Sequence, residues 1–388
     1  MKRIIILVVC FFAGAATARS QIGKSISVSA GTPEDKALSE IYAAPDGPDK
    51  ITMLDKFMAD YGQGDLALLG DQLYVQVYLS LKNYPKVYEY GEKALAIDPD
   101  NLSTAVNMVH AADEQGDAKK VFAAGEKVAA IVARYQASPA PEGSSADAWA
   151  SQKQVALNNA QADIGYAEYA MVNAAYKTAQ PSARAALFER YVAAFADSPY
   201  TNTVREQTAI AYQQAQNTPK MLETAQGVLT ANPNNISMLL LLSDYWSENG
   251  QQLDKAAEYA KKALDLLPKA VKPENVTDEQ WQQQVSLQKG IALTSLGEVY
   301  VNKMENGSAV DAFKQASPLL KSSSVSYARN LYRLGFTLAK IKRTDEARTV
   351  LTEAVSINSP YRAEAQEALD KIGGAAGRKP ARKSSSQN

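Results

Sequence analysis

One figure is written twice in this chain. Leu293-x-x-Leu296-Gly297-x-x-Tyr300 is followed by Ala309-x-x-x-Phe313-x-x-Ala316, and Leu331-x-x-Leu334-Gly335-x-x-Leu338 is followed by Ala347-x-x-x-Leu351-x-x-Ala354. In both copies the glycine precedes the first alanine by 12 residues and the two alanines stand 7 apart. Steps of 3 and 4 put each set on one face of a helix, so each copy reads as two amphipathic helices. Gly297, Ala309 and Ala316 are small, which lets the two helices approach closely, and the large residues fill the remaining gaps as ridges in grooves. A lone hairpin of this kind cannot bury its apolar face. Two matched copies therefore predict a stack of several.

The motif resembles the tetratricopeptide repeat, a helix–turn–helix unit of about 34 residues. The resemblance implies an all-α fold of helical hairpins stacked as a right-handed superhelix, a solenoid of seven to eight units. It also implies recognition of protein or peptide partners on the concave face. Other stretches keep the period. Val87-x-x-x-Gly91-Glu92-Lys93-x-x-Ala96-Ile97 recurs 34 residues later as Val121-x-x-x-Gly125-Glu126-Lys127-x-x-Ala130-Ile131. Closing prolines recur at Pro199, Pro233 and Pro268, spaced by 34 and then 35.

The solenoid is expected over residues 32–372. Thr32-Pro33-Glu34-Asp35 is a helix start, with Thr32 as cap and Pro33 at the first helical position, and residues 32–64 form a degenerate first unit. Residues 134–181 are an irregular insertion, with a Ser/Pro/Gly loop at 138–145 and then an overlong helix at about 148–179. A second overlong helix, about 278–304, starts at the capping box Thr277-x-x-Gln280. Trp149 and Trp281 lie in the extra turns of these helices, which must project or pack on what precedes them. The strongest repeats occupy 290–358, and an amphipathic helix at 361–372 caps the end.

The ends read differently. Residues 1–18 form a signal peptide: Lys2 and Arg3, an apolar stretch from Ile4 to Ala13, and the small-residue site Ala16-Thr17-Ala18. The apolar stretch falls short of the roughly 20 residues that span a bilayer, and no transmembrane segment is expected in the mature chain. Val9 before Cys10 does not fit the lipobox of bacterial lipoproteins. The product is therefore expected to be exported, periplasmic in a Gram-negative host and otherwise secreted. Residues 19–31 are a flexible lead, and residues 373–388 a disordered basic tail.

Several chemistries are excluded on composition. Cys10 is the only cysteine and His110 the only histidine, which leaves no disulfide, no thiolate and too few ligands for a zinc site. His110 reads as a groove residue without a catalytic role; no enzyme, cofactor or metal is expected. Without Lys2 and Arg3 the chain has 39 basic and 42 acidic residues, which does not describe a nucleic-acid binder. Arg378, Lys379, Arg382 and Lys383 make the tail basic. They suggest weak contact with an anionic surface, against the plainer reading of a solvated end.

In the family, positions 2, 5, 9 and 12 of each first helix line the concave face. Carried over, the candidate partner-binding residues are Gln72, Gln76, His110, Glu206, Gln213, Asp244, Glu298, Arg329, Tyr332 and Phe336. The Lys and Asn clamp of the family's chaperone-tail binders is absent, since position 5 reads Gln72, Val106, Glu206, Leu240, Thr294 and Tyr332. Arg329, Tyr332 and Phe336 are the expected anchor, with acids at Glu206, Asp244 and Glu298 selecting against acidic partners. The competing role for Tyr332 and Phe336 is packing on the terminal helix. The function expected is an exported, non-catalytic scaffold or adaptor. An assembly or secretion accessory at the outer membrane is the alternative, and the helical support of an envelope enzyme a third.

Overall fold

The computed structural model describes residues 21–376, and these form two compact units divided between Asn217 and Thr218. Among the described residues there are seventeen α-helices, two short 3-10 turns and no strand. The expected signal peptide and the four tail cations lie outside the described residues.

Unit 1 holds α1 (Pro33–Ala43), α2 (Pro48–Tyr61), α3 (Asp65–Ser80), α4 (Tyr84–Ile97), α5 (Leu102–Glu114), α6 (Ala118–Ala137), α7 (Ala146–Lys177), α8 (Pro181–Ala194) and α9 (Thr201–Gln214). Helix α1 begins as the sequence predicts: the Thr32 side chain accepts the Asp35 amide at 3.3 Å, and Pro33 fills a position whose N–H would have had no partner. The apolar faces of α1 to α4 close one core around Leu38, Ile41, Leu54, Phe57, Leu73 and Val87. The lead before α1 is fastened in its described part. Ile22 is buried, and the Lys24 amide donates to Asp98 Oδ2 at 2.7 Å. Within the lead expected to be flexible, one apolar side chain and one charge-assisted hydrogen bond thus hold residues 22–24.

Unit 2 holds α10 (Thr218–Ala231), α11 (Ile236–Glu248), α12 (Leu253–Leu266), α13 (Asp278–Asn302), α14 (Asn306–Ala316), α15 (Ser324–Lys340), α16 (Thr344–Ser356) and α17 (Arg362–Ala376). The doubled motif is α13/α14 and α15/α16. A Cβ added to Gly297 would lie 2.5 Å from the Phe313 ring, and one on Gly335 2.6 Å from Leu351 Cγ. Ala309, Ala316, Ala347 and Ala354 are all buried. The small residues are thus where helix meets helix. The capping box at Thr277 and Gln280 is complete in both directions. Helix α17 continues through Gly373 to Ala376, past the expected end at 372. Glycine costs only about 1 kcal/mol inside a helix, too little to stop one already formed.

The repeat is clearest in its turns. Six first helices end alike, each with one residue in the left-handed region: Lys82, Gly116, Gln216, Gly250, Met304 and Lys342. The next amide then reaches back to the carbonyl five residues earlier, as in Asn83 to Tyr78 at 2.8 Å, Asp117 to Ala112 at 3.1 Å and Arg343 to Leu338 at 2.9 Å. The left-handed residue's own amide bonds three residues back, as in Lys342 to Ala339 at 3.0 Å. This pair of hydrogen bonds is the Schellman ending, which uses up carbonyls the helix end would leave unpaired and reverses the chain within three or four residues. Helix α7 ends differently, with Thr178 extended, and this is where the sequence period fails. At its other end α7 folds its surplus length back. Trp149 Nε1 donates to the Ser138 carbonyl at 3.0 Å, and its ring meets Tyr135 edge-on. Trp281, in the surplus turns of α13, is half-buried.

Four of the six turn positions are not glycine, and each such residue carries roughly 1–2 kcal/mol of left-handed strain. Lys342 is exposed, and no ion pair holds it among the described residues. Lys342→Gly is expected to stabilise the protein by about 1 kcal/mol and Lys342→Val to destabilise it, read as opposite shifts of the melting temperature.

Candidate functional site

The predicted stripe divides into two faces of different chemistry, one in each unit. In unit 2, Asp244 on α11, Glu298 on α13 and Arg329 on α15 converge. Arg329 Nη1 donates to both Asp244 carboxylate oxygens at 2.9 and 3.0 Å, and Nη2 donates to Glu298 Oε1 and Oε2 at 2.9 and 2.8 Å. Glu248 lies 3.6 Å from Arg329, and Arg333 Nε lies 3.3 Å from Glu298. The Ser247 hydroxyl donates to Glu298 at 3.1 Å. The Glu298 and Arg329 side chains are only 4% and 12% exposed. Burial raises the Glu298 carboxyl above its usual range, opposed by Arg329. Burial works against the Arg329 charge too, but Asp244 and Glu298 outweigh it and hold the guanidinium protonated.

Arg329, the expected partner anchor, and Asp244 and Glu298, the expected acidic selectors, thus pair with one another. Their charges answer one another inside the unit, and the Arg329 fork is engaged by its own chain. Tyr332 and Phe336 part company. Tyr332 joins the cluster of Leu331, Leu351, Ala354 and Ala365 with the terminal helix, and stacks on Tyr361 at 6.4 Å between ring centroids. Phe336 stays 48% exposed.

In unit 1, His110 on α5 is half-buried and stacks on Tyr166 of α7, with ring centroids 3.8 Å apart and planes 17° from parallel. The Tyr166 hydroxyl donates to Asp113 Oδ2 at 3.0 Å. Burial lowers the imidazole below its ordinary value of 6.5, opposed by Asp163, Glu114 and Asp113. Tyr169 and Tyr176 continue the α7 face at 62% and 49% exposure. Burial raises the Tyr176 phenol, and so does the negative charge of Glu206 on α9. Gln72 is half-buried and Gln76 exposed on α3, Glu206 is half-buried, and Gln213 is exposed on α9. The three α7 tyrosines were missed because the broken period hid α7 as a first helix. The signal was present: Tyr166, Tyr169, Asn173 and Tyr176 keep the same 3-4-3 spacing as the stripe elsewhere.

Two outcomes follow. Arg329→Leu leaves the buried Glu298 with Arg333 as its one remaining counter-charge and takes the guanidinium from Asp244, and is expected to cost about 3 kcal/mol in denaturant unfolding, with part recovered in the Arg329→Leu/Glu298→Gln double variant. His110 gives a pH signature. Its folded pKa lies below the unfolded 6.5, so its contribution is present above 6.5 and changes as the pH falls toward the folded value: the unfolded chain takes up the proton first, and stability is lost. The melting-temperature advantage of the native chain over His110→Gln is therefore expected to shrink from about pH 8 to pH 5. An advantage constant with pH would mean that the imidazole does not titrate in this range.

Among the described residues no helix is long and apolar enough to cross a membrane. No curated protein matches the sequence. Solved structures similar to this chain include the APC/C hetero-tetramer Cut9–Hcn1, at 13% identity over 89% of this chain and 57% of that chain, with a TM-score of 0.42. Yeast Tom70 is similar at 12% identity over 91% of this chain and 66% of that one, TM-score 0.38. So is a thermophilic TPR protein of Thermus thermophilus, at 17% identity over 53% and 98%, TM-score 0.34. This chain thus spans a little over half the length of the Cut9–Hcn1 chain. The family model for the tetratricopeptide repeat matches residues 328–361, the hairpin of α15 and α16. That match falls on the second copy of the doubled motif, and the same turn closes five other first helices, so residues 328–361 form a tetratricopeptide repeat within an array of like-turned helical hairpins.

Proposed function

We propose that this protein is an exported, non-catalytic scaffold that holds a protein or peptide partner on the unit 1 face built by α5, α7 and α9. A repeat fold of this type is an interaction scaffold in the general case; the choice of face rests on Tyr169 and Tyr176. Large aromatic side chains held on a rigid helix supply contact area at low entropic cost, and they dominate interface energies. The matching face of unit 2 is occupied by its own ion pairs, which argues against it as the recognition surface. Export rests on residues 1–18 alone, with a mature amino terminus at Arg19.

The test uses protein recovered from the native host after crosslinking. Intact mass is expected to start at Arg19; retention of residues 1–18 would reject export. The Tyr169→Ala/Tyr176→Ala variant is expected to lose about tenfold or more of the crosslinked partner with its melting temperature little changed, since both side chains are exposed. Undiminished recovery, with loss instead in Phe336→Ala, would move the binding surface to unit 2.

A further inference from the structure

We infer that the segment seated on the α5–α7–α9 face is cationic, an extended stretch carrying lysine or arginine; this rests on the reading that the face binds a partner at all. Asp163, Tyr166, Tyr169, Asn173 and Tyr176 follow one another along α7 at helical spacing. Thirteen residues of helix rise about 20 Å, room for about six residues of extended chain. Phenol faces carry negative charge density and attract ammonium and guanidinium groups placed over them. Unit 1 already uses that contact elsewhere, with Lys93 Nζ 4.2 Å from the Tyr90 ring centroid.

The charged groups acting on the His110 imidazole and the Tyr176 phenol are acidic. Asp113 lies under the Tyr166 hydroxyl, Asp163 and Glu114 face His110, and Glu206 faces Tyr176. Glu114 is partly answered by Lys82 at 3.6 Å. Among the described residues no basic side chain comes within 4.0 Å of Asp113 or Asp163, and Asp163 is exposed. The contrast with unit 2 is direct. There the acids on α11 and α13 are met by Arg329 and Arg333 from α15. In unit 1 no such arginine reaches Asp113 or Asp163. The cation that completes the unit 2 face from within is left, beside these two acids, to the partner. A neutral His110 fits this arrangement, since it adds no competing positive charge above 6.5.

The test is fluorescence anisotropy on the full chain with three labelled peptides of one length, alternating alanine with lysine, glutamine or glutamate. The lysine peptide is expected to bind tightest and to weaken steeply with added salt, with the glutamate peptide left unbound. Tyr169→Leu keeps the apolar bulk and removes the ring, and is expected to weaken the lysine peptide by about two- to fivefold. Asp163→Asn is expected to weaken it as well. Glu274→Gln, on an exposed acid of unit 2, should change nothing; an equal loss there would mean diffuse attraction to the whole surface and overturn the inference. Glutamine or glutamate peptides binding as well as lysine, with loss in Tyr169→Leu, would overturn the cationic partner and keep the face. Binding of none of the three, with partner crosslinks mapping off α7, would overturn the face itself.

Discussion

A pair of antiparallel helices has two flanks, and its own contact buries only part of its apolar surface. Everything else in this protein depends on covering the remainder with the next pair. The sequence meets that demand by alternating where bulk and its absence fall. Phe313 fills the space that Gly297 leaves, and Leu351 the space that Gly335 leaves. Met108 and Met171 lie against Gly91 and Gly125 in the same manner. Interiors packed this closely tolerate little change of volume, so the glycines matter here for missing atoms more than for freedom of backbone. The Schellman turns then fix the reversal between the two helices of a pair, and with it which side chains point outward.

Because the scaffold is set by packing between neighbours, its outward face is free to carry different chemistry in each unit. Unit 2 uses that face on itself. Three first helices are tied by one guanidinium and two carboxylates, which pins their spacing and leaves little of that charge to solvent. A buried network of this kind adds little net stability over a well-packed apolar one, but it tolerates no missing member. Unit 1 leaves its face open: amides on α3, a histidine half-covered by a tyrosine, then two tyrosines with much of their rings in water.

The fold was legible where local chemistry repeats. The cap at Thr32, the start of the long helix at Thr277 and the two hairpins of the doubled motif can be read from side-chain type and spacing, because each is decided within a few residues. The strap at Ile22 to Lys24 was not legible, since its partner Asp98 lies 74 residues away. The candidate site was half legible. The 3-4-3 stripe brought Asp244, Glu298 and Arg329 together as residues of one face. It could not say that Arg329 lies between the two acids, because that depends on how far successive first helices stand apart. Nor could it separate Tyr332 from Phe336: one helical turn between them decides which reaches the terminal helix and which stays in water.

The aromatic face of α7 shows why the irregular part of a repeat array is the place to look for recognition. A regular unit must use its outward residues sparingly, since each also sits beside the next first helix. Helix α7 is 32 residues long, so part of its face extends beyond what its neighbours cover. Its surplus amino-terminal turns are anchored by Trp149 on the end of α6, which holds the helix without burying its outward side. Large rings kept in water cost apolar exposure with no return to the fold. Tyr166 is accounted for by His110 and Asp113. Tyr169 receives no such compensation inside unit 1, and the cation-bearing segment proposed along α7 would supply it.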